Sequence, residues 1–92
     1  MIQMKITIYS KNNCTFCNKA KHLVKTLGLT YEEKKMEEFD SPQAMLEDIG
    51  KPVRTMPQIK IDDKLVGGYN QLIEYFTDKG LVNFKGEVID KK

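Results

Sequence analysis

The sequence predicts an α/β fold: a four-stranded mixed sheet with helices packed on it, in the order β-α-β-α-β-β-α. Three observations carry this. Residues 4–9, MKITIY, and 58–61, QIKI, alternate in the period of two that belongs to a half-buried strand. Between residues 15 and 27, Ala20, Leu23, Val24 and Leu27 recur at three and four, the spacing of one helical face. A strand, crossover helix and second strand make a parallel unit, whereas the later strands, joined by a tight turn, run antiparallel. One mixed sheet satisfies both.

Each element has its own local reason. In the first strand Met4, Ile6 and Ile8 share one face and Lys5, Thr7 and Tyr9 the other. Ser10 to Asn13 is polar and reads as a turn. The helix from about Thr15 to Leu27 stops at Gly28, which takes a left-handed cap. Residues 30–36, TYEEKKM, are too polar for a central strand and read as an edge. Ser41-Pro42 is a helix start, with the hydroxyl as cap and proline in the first turn, and that helix ends at Gly50. Asp62-Asp63-Lys64 turns QIKI into the short strand Leu65-Val66, and Gly67-Gly68 breaks it. A last helix runs from about Asn70 to Lys79 with Leu72, Ile73, Tyr75 and Phe76 inward. The tail, LVNFKGEVIDKK, has apolar residues on both sides of Lys85-Gly86 and reads as a hairpin or a frayed end.

Ninety-two residues are expected to form one domain, with a core at about 4–79 and a C-terminal extension at about 81–92. A charged fraction of 30% argues for a soluble chain, and a net charge of +2 is too small for an expected nucleic-acid binder. No apolar run approaches the length of a membrane span. The opening residues, MIQMKITIYS, lack a basic leader and a small-residue cleavage site, so a strand is expected there and not a signal peptide. A cytoplasmic, reducing location follows as an expectation, where a permanent disulfide is out of place.

That expectation bears on KNNCTFC, residues 11–17, which holds the only cysteines, Cys14 and Cys17. A bond between them would close a very short loop and remove little entropy from the unfolded chain, so a structural staple is a weak reading. A structural zinc wants four ligands, and one cysteine pair with one histidine, His22, does not supply them. A redox couple remains. The pair stands where a strand runs into a helix, and a helix N-terminus carries about half a positive charge and unpaired N–H groups. Both stabilise the thiolate that acts as nucleophile in disulfide exchange. Lys11 adds positive charge nearby. One helical turn separates the two residues, which brings the sulfur of Cys17 towards that of Cys14.

Two further stretches carry chemistry. In Arg54-Thr55-Met56-Pro57 a proline directly precedes a strand. An X-Pro bond adopts either isomer at modest cost. A cis bond would turn the Met56 N–H and C=O outward to pair with an extended peptide; a trans bond would simply start an edge strand. In Gly67-Gly68-Tyr69-Asn70-Gln71 the glycines permit close approach of a ligand and the helix start after them suits an anion. The same residues also make an ordinary strand-to-helix turn.

Taken together, KNNCTFC, TMPQI and GGYNQL, in order and at family-like spacing, resemble the glutaredoxin family of the thioredoxin-like fold. The resemblance spans roughly residues 4–79, and the short chain looks like the small dithiol glutaredoxins of phages and bacteria. It implies a thiol–disulfide oxidoreductase that reduces protein disulfides and glutathione mixed disulfides and is recycled by glutathione. Cys14 then corresponds to the nucleophile and Cys17 to the resolving cysteine. Pro57 corresponds to a cis-proline, with Met56 offering its backbone to the cysteine of glutathione and Thr55 beside it. Gly68, Asn70 and Gln71 fall where the family holds the γ-glutamyl end, and Tyr69 beside them is read as packing over the substrate or capping the groove. Lys11 and Arg54 stand where positive charge meets glutathione's carboxylates, and Phe16 walls the groove.

Thr15 and Phe16 replace the proline and tyrosine of the familiar Cys-Pro-Tyr-Cys, and Gln71 stands where the family often has aspartate. Two alternatives therefore stay open. Cys14 could ligate a [2Fe–2S] cluster bridged between two chains, because members without the active-site proline sometimes do so. Otherwise the chain could act as a glutathione-independent reductant served by a reductase. Expected partners are glutathione and disulfide-containing proteins, ribonucleotide reductase among them, with no nucleic acid, no membrane and a monomeric chain.

Overall fold

A computed structural model of the chain describes residues 5–53 and 55–83. Met4, Arg54 and the segment from residue 84 onward, including most of the expected extension, lie outside the described residues. Strand β1 is Ile6–Ser10, followed by α1 (Thr15–Thr26), β2 (Tyr31–Lys35), a short 3-10 turn (Met36–Glu38), α2 (Pro42–Ile49), β3 (Gln58–Ile61), β4 (Lys64–Gly67) and α3 (Tyr69–Asp78). The sheet order is β2-β1-β3-β4. Strand β1 runs parallel to β2 and antiparallel to β3, and β3 is antiparallel to β4, so the sheet is mixed as the element order requires. The polar segment TYEEKKM supplies the edge strand β2. No described helix is long and apolar enough to cross a membrane.

The alternation in β1 separates two cores. Ile6 and Ile8 point into the larger one, where Ala20, Leu23 and Val24 of α1 meet Ile59, Ile61, Leu72, Phe76 and Val82. Tyr9 points to the other face and packs with Met45 and Ile49 of α2. Every residue of β1 is consequently buried. The Tyr9 hydroxyl donates to Asp48 Oδ2 at 2.7 Å, and Lys34 Nζ reaches the same oxygen at 3.1 Å. Lys60 Nζ donates to the Asp48 carbonyl at 2.8 Å, and the Tyr9 hydroxyl approaches the same oxygen at 3.4 Å, so this acceptor at the end of α2 is satisfied from the sheet. The Tyr9 hydrogen bond, then Lys34, hold the Asp48 carboxyl below its ordinary value, while burial and that same carboxylate push the Tyr9 phenol well above its own.

Local signals explain the boundaries. Ser41 Oγ accepts the Ala44 N–H at 3.1 Å, with Pro42 in the first turn of α2. Asp62 and Asp63 both have positive φ, 53° and 68°, the geometry of a two-residue hairpin whose twist suits the flanking strands. Helix α3 begins one residue earlier than its sequence signal, at Tyr69, because Gln71 reaches back to Gly68.

Candidate active site

The chain leaves β1 at Ser10 and turns through Asn13, whose positive φ of 56° a short polar side chain tolerates. Cys14 then caps α1: its Sγ accepts the N–H of Cys17 at 3.1 Å. The two cysteines form a disulfide. Cys14 keeps 8% of its surface exposed and Cys17 only 1%, so an incoming thiol reaches Cys14. Helix α1 is held against the sheet edge by Lys21, whose Nζ lies 2.8 Å from Glu33 Oε2, an oxygen that also accepts from Ser10 Oγ at 2.7 Å. Burial pushes the Glu33 carboxyl up, but the bonds from Lys21 and Ser10 outweigh it and leave the group below its ordinary range.

Facing Cys14 is the loop before β3. The Met56–Pro57 peptide bond is cis, the isomer that the resemblance implies, whereas the residues alone favour trans. The Met56 carbonyl oxygen lies 3.7 Å from Cys14 Sγ. Gln58, buried, donates from Nε2 to the Thr55 carbonyl at 2.8 Å and so fastens the loop onto the strand that follows.

Beside these atoms runs a groove of about 290 Å³. Phe16 of α1 forms one wall, Thr55, Met56 and Pro57 a second, and Gly68, Tyr69, Asn70 and Gln71 at the start of α3 a third. Eight residues singled out in the sequence thus meet in one place, drawn from three separate stretches. The Phe16 and Tyr69 rings lie tilted, 5.9 Å between centroids. Phe16 is 53% exposed, unusual for a large apolar side chain, and Lys19 Nζ sits over it at 5.2 Å. Lys11 is exposed in the turn before Cys14 and does not line the groove, and Arg54 lies outside the described residues.

One sequence expectation takes a different form. Gln71 lines the groove, but its Oε1 accepts the Gly68 N–H at 3.0 Å and caps α3. A Gln at the third helical position makes the return half of a capping box, and Gly68, without a side chain, leaves the other half unmade. Gly67 makes this fold-back possible: at φ +126°, a Cβ there would stand 2.9 Å from Gln71 Cγ. Lys19 was also missed as a neighbour of the site, although three residues after Phe16 is the spacing at which helical side chains meet.

A helix-capping, accessible cysteine bonded to a buried one, beside a groove on a thioredoxin-like sheet, defines a dithiol thiol–disulfide oxidoreductase. The chain belongs to the glutaredoxin family, whose family model, described as Glutaredoxin, matches residues 6–66. A probable glutaredoxin of Synechocystis is 34% identical over 71 residues; the match takes in 77% of this chain and spans 65% of that protein's length. Among solved structures, glutaredoxin 1 from Francisella tularensis, complexed with cacodylate, superimposes with a TM-score of 0.70 at 28% identity, covering 85% of this chain and 96% of that one. A buckwheat glutaredoxin–glutathione complex gives a TM-score of 0.67 at 27% identity, covering 80% of this chain and 69% of that one.

Proposed function

We propose that this chain reduces protein disulfides and glutathione mixed disulfides and that glutathione returns it to the dithiol. The observation that carries the reading is the 8%-exposed Cys14, disulfide-bonded to the buried Cys17 at the edge of the groove. In the dithiol form the Cys14 thiolate is stabilised by the start of α1 and by the Cys17 N–H. It attacks one sulfur of the substrate disulfide, forming a Cys14 mixed disulfide and releasing the other sulfur as a thiolate, which takes up a proton. Cys17, deprotonated, then attacks Cys14 Sγ. The bond from Cys14 to the substrate breaks, the second substrate sulfur leaves as thiolate, and the substrate has gained two electrons while the enzyme holds the Cys14–Cys17 disulfide. Two glutathione molecules reverse the oxidation in the same two steps and leave as glutathione disulfide.

The groove supports glutathione as the partner by its size and by the exposed side chains of Asn70 and Gln71 at the start of α3, the latter through its amide NH2, since its oxygen is taken by the Gly68 N–H. The glutathione complex of the buckwheat relative adds to this. A bridged [2Fe–2S] cluster on Cys14 gains no observation in its favour. The proposed setting is a reducing cytoplasm, and the protein disulfide of ribonucleotide reductase is one substrate of the right chemistry.

The test compares the parent with Cys14→Ser and Cys17→Ser on a glutathione mixed disulfide. Activity in the parent and in Cys17→Ser, with none in Cys14→Ser, is the expected result, because on this substrate a glutathione thiolate can attack the Cys14–glutathione disulfide in place of Cys17, regenerating the Cys14 thiolate and leaving as glutathione disulfide. A parent that reduces a protein disulfide with a reductase but ignores glutathione would replace this reading by the reductase-served one.

A further inference from the structure

A second and larger groove, about 590 Å³, opens on the outer side of α1. Its floor is Leu23, its walls are Asn18, Lys19, His22 and Thr26, and its inner end is Thr15 and Tyr69. The disulfide-exchange scheme makes no use of it. Two observations point to an occupant. The first is continuity. Tyr69 lines both grooves, and Thr15, between the two cysteines, lines the outer one, so a chain leaving the site over the Phe16–Tyr69 ridge enters it directly. The second is charge. Helix α1 carries Lys19, Lys21 and Lys25 and no carboxylate, and no carboxylate lines the groove. Lys21 is spent on Glu33, whereas Lys19 makes no ion pair among the described residues and rests only on the Phe16 ring.

We propose that this groove seats the segment flanking the disulfide of a protein substrate, and that the segment carries an apolar side chain followed by carboxylates. The apolar side chain covers Leu23 against Tyr69, and the carboxylates meet Lys19. A tripeptide bound in the inner groove has no chain left to reach it. The outer groove therefore separates protein substrates from glutathione mixed disulfides. This inference rests on the oxidoreductase reading above.

The experiment uses three probes with the full chain: cysteine–glutathione mixed disulfide, a disulfide peptide whose second cysteine is followed by Leu-Glu-Glu, and the same peptide with Leu-Lys-Lys. The parent is expected to have the lower KM for the Glu peptide. His22→Glu adds a carboxylate to the groove, and Thr26→Phe fills it, both at exposed positions. Each should raise KM for the Glu peptide about five- to tenfold, the scale of one lost apolar anchor or close charge. Turnover of the mixed disulfide should stay within about twofold, since that substrate does not reach the outer groove and the reacting atoms are unchanged. Equal KM values for the two peptides in the parent, or equal losses on the peptide and the mixed disulfide in the variants, would overturn the groove while leaving the oxidoreductase reading intact. A parent inert towards all three probes would overturn that reading first.

Discussion

The N–H of Cys17 donates to the sulfur of Cys14 across the first turn of α1, at 3.1 Å. In the proposed scheme one residue thus serves the other twice, as resolving thiol and as a backbone donor that favours negative charge on the nucleophile. In the reduced protein the helix start adds to the same effect.

The first prediction is selective alkylation. In the reduced Cys17→Ser protein, Cys14 should react with iodoacetamide at half-maximal rate at a pH below that of a free cysteine, about 8.5. In the reduced parent, mass spectrometry should find the first label on Cys14, because Cys17 is buried. A first label on Cys17 would reverse the two roles.

Phe16 tests the groove apart from the fold. It is 53% exposed, so Phe16→Ala should leave the melting temperature nearly unchanged. The ring stacks beside Tyr69 and walls the inner groove, so KM for a glutathione mixed disulfide should rise several-fold, a loss of about 1 kcal/mol. Steady-state kinetics and a thermal melt on the same preparation decide this; a large fall in stability with unchanged KM would contradict it.

Gly67→Ala should be costly. Its backbone sits at φ +126° and an added Cβ meets Gln71 Cγ at 2.9 Å. Strain of this kind costs about 1–3 kcal/mol. Gln71→Ala should cost less, about 1 kcal/mol for the lost bond to the Gly68 N–H. Urea denaturation of both variants gives the order, and a Gly67→Ala protein as stable as the parent would be the contrary result.

Acid stability should depend on Asp48. Its carboxyl is lowered in the folded state, first by the Tyr9 hydroxyl and then by Lys34. A depressed carboxyl contributes stability above its unfolded value, about 3.9, and loses it as the pH falls through the lower folded value. Glu33, lowered on balance by Lys21 and Ser10 against its burial, acts in the same direction. Stability should therefore decline as the pH drops below about 4, and Asp48→Asn should flatten part of that decline while lowering stability at neutral pH. Denaturation curves at pH 7 and at pH 3 compare the two proteins. An unchanged slope would remove Asp48 from the account.

Much of this was legible beforehand because it is local. The Ser41 cap, the alternation of MKITIY and QIKI, the Asp62-Asp63 turn and the position of Cys14 ahead of α1 all follow from spacing and capping chemistry. The same applies to the edge character of TYEEKKM, whose polarity does not suit a strand covered on both sides. The sequence by itself therefore determined the order of elements and the placing of a reactive cysteine pair at a helix start.

The tertiary structure decided what distant stretches do to one another. Tyr9 alternates away from Ile8 and gives no sign of burial until α2 covers that second face of the sheet. Phe16, Met56 and Tyr69 are separated by long intervals of chain, and only the packing of α1 and α3 on one face of the sheet, beside the cis Met56–Pro57 loop, brings them to one groove. Gln71 looked available to a ligand, yet its carbonyl turns back to an unpaired backbone N–H that the break at Gly68 creates. Periodicity reports which side of an element is apolar; which partner covers it, and which polar groups are left over to pair, depends on contacts between segments far apart in the chain.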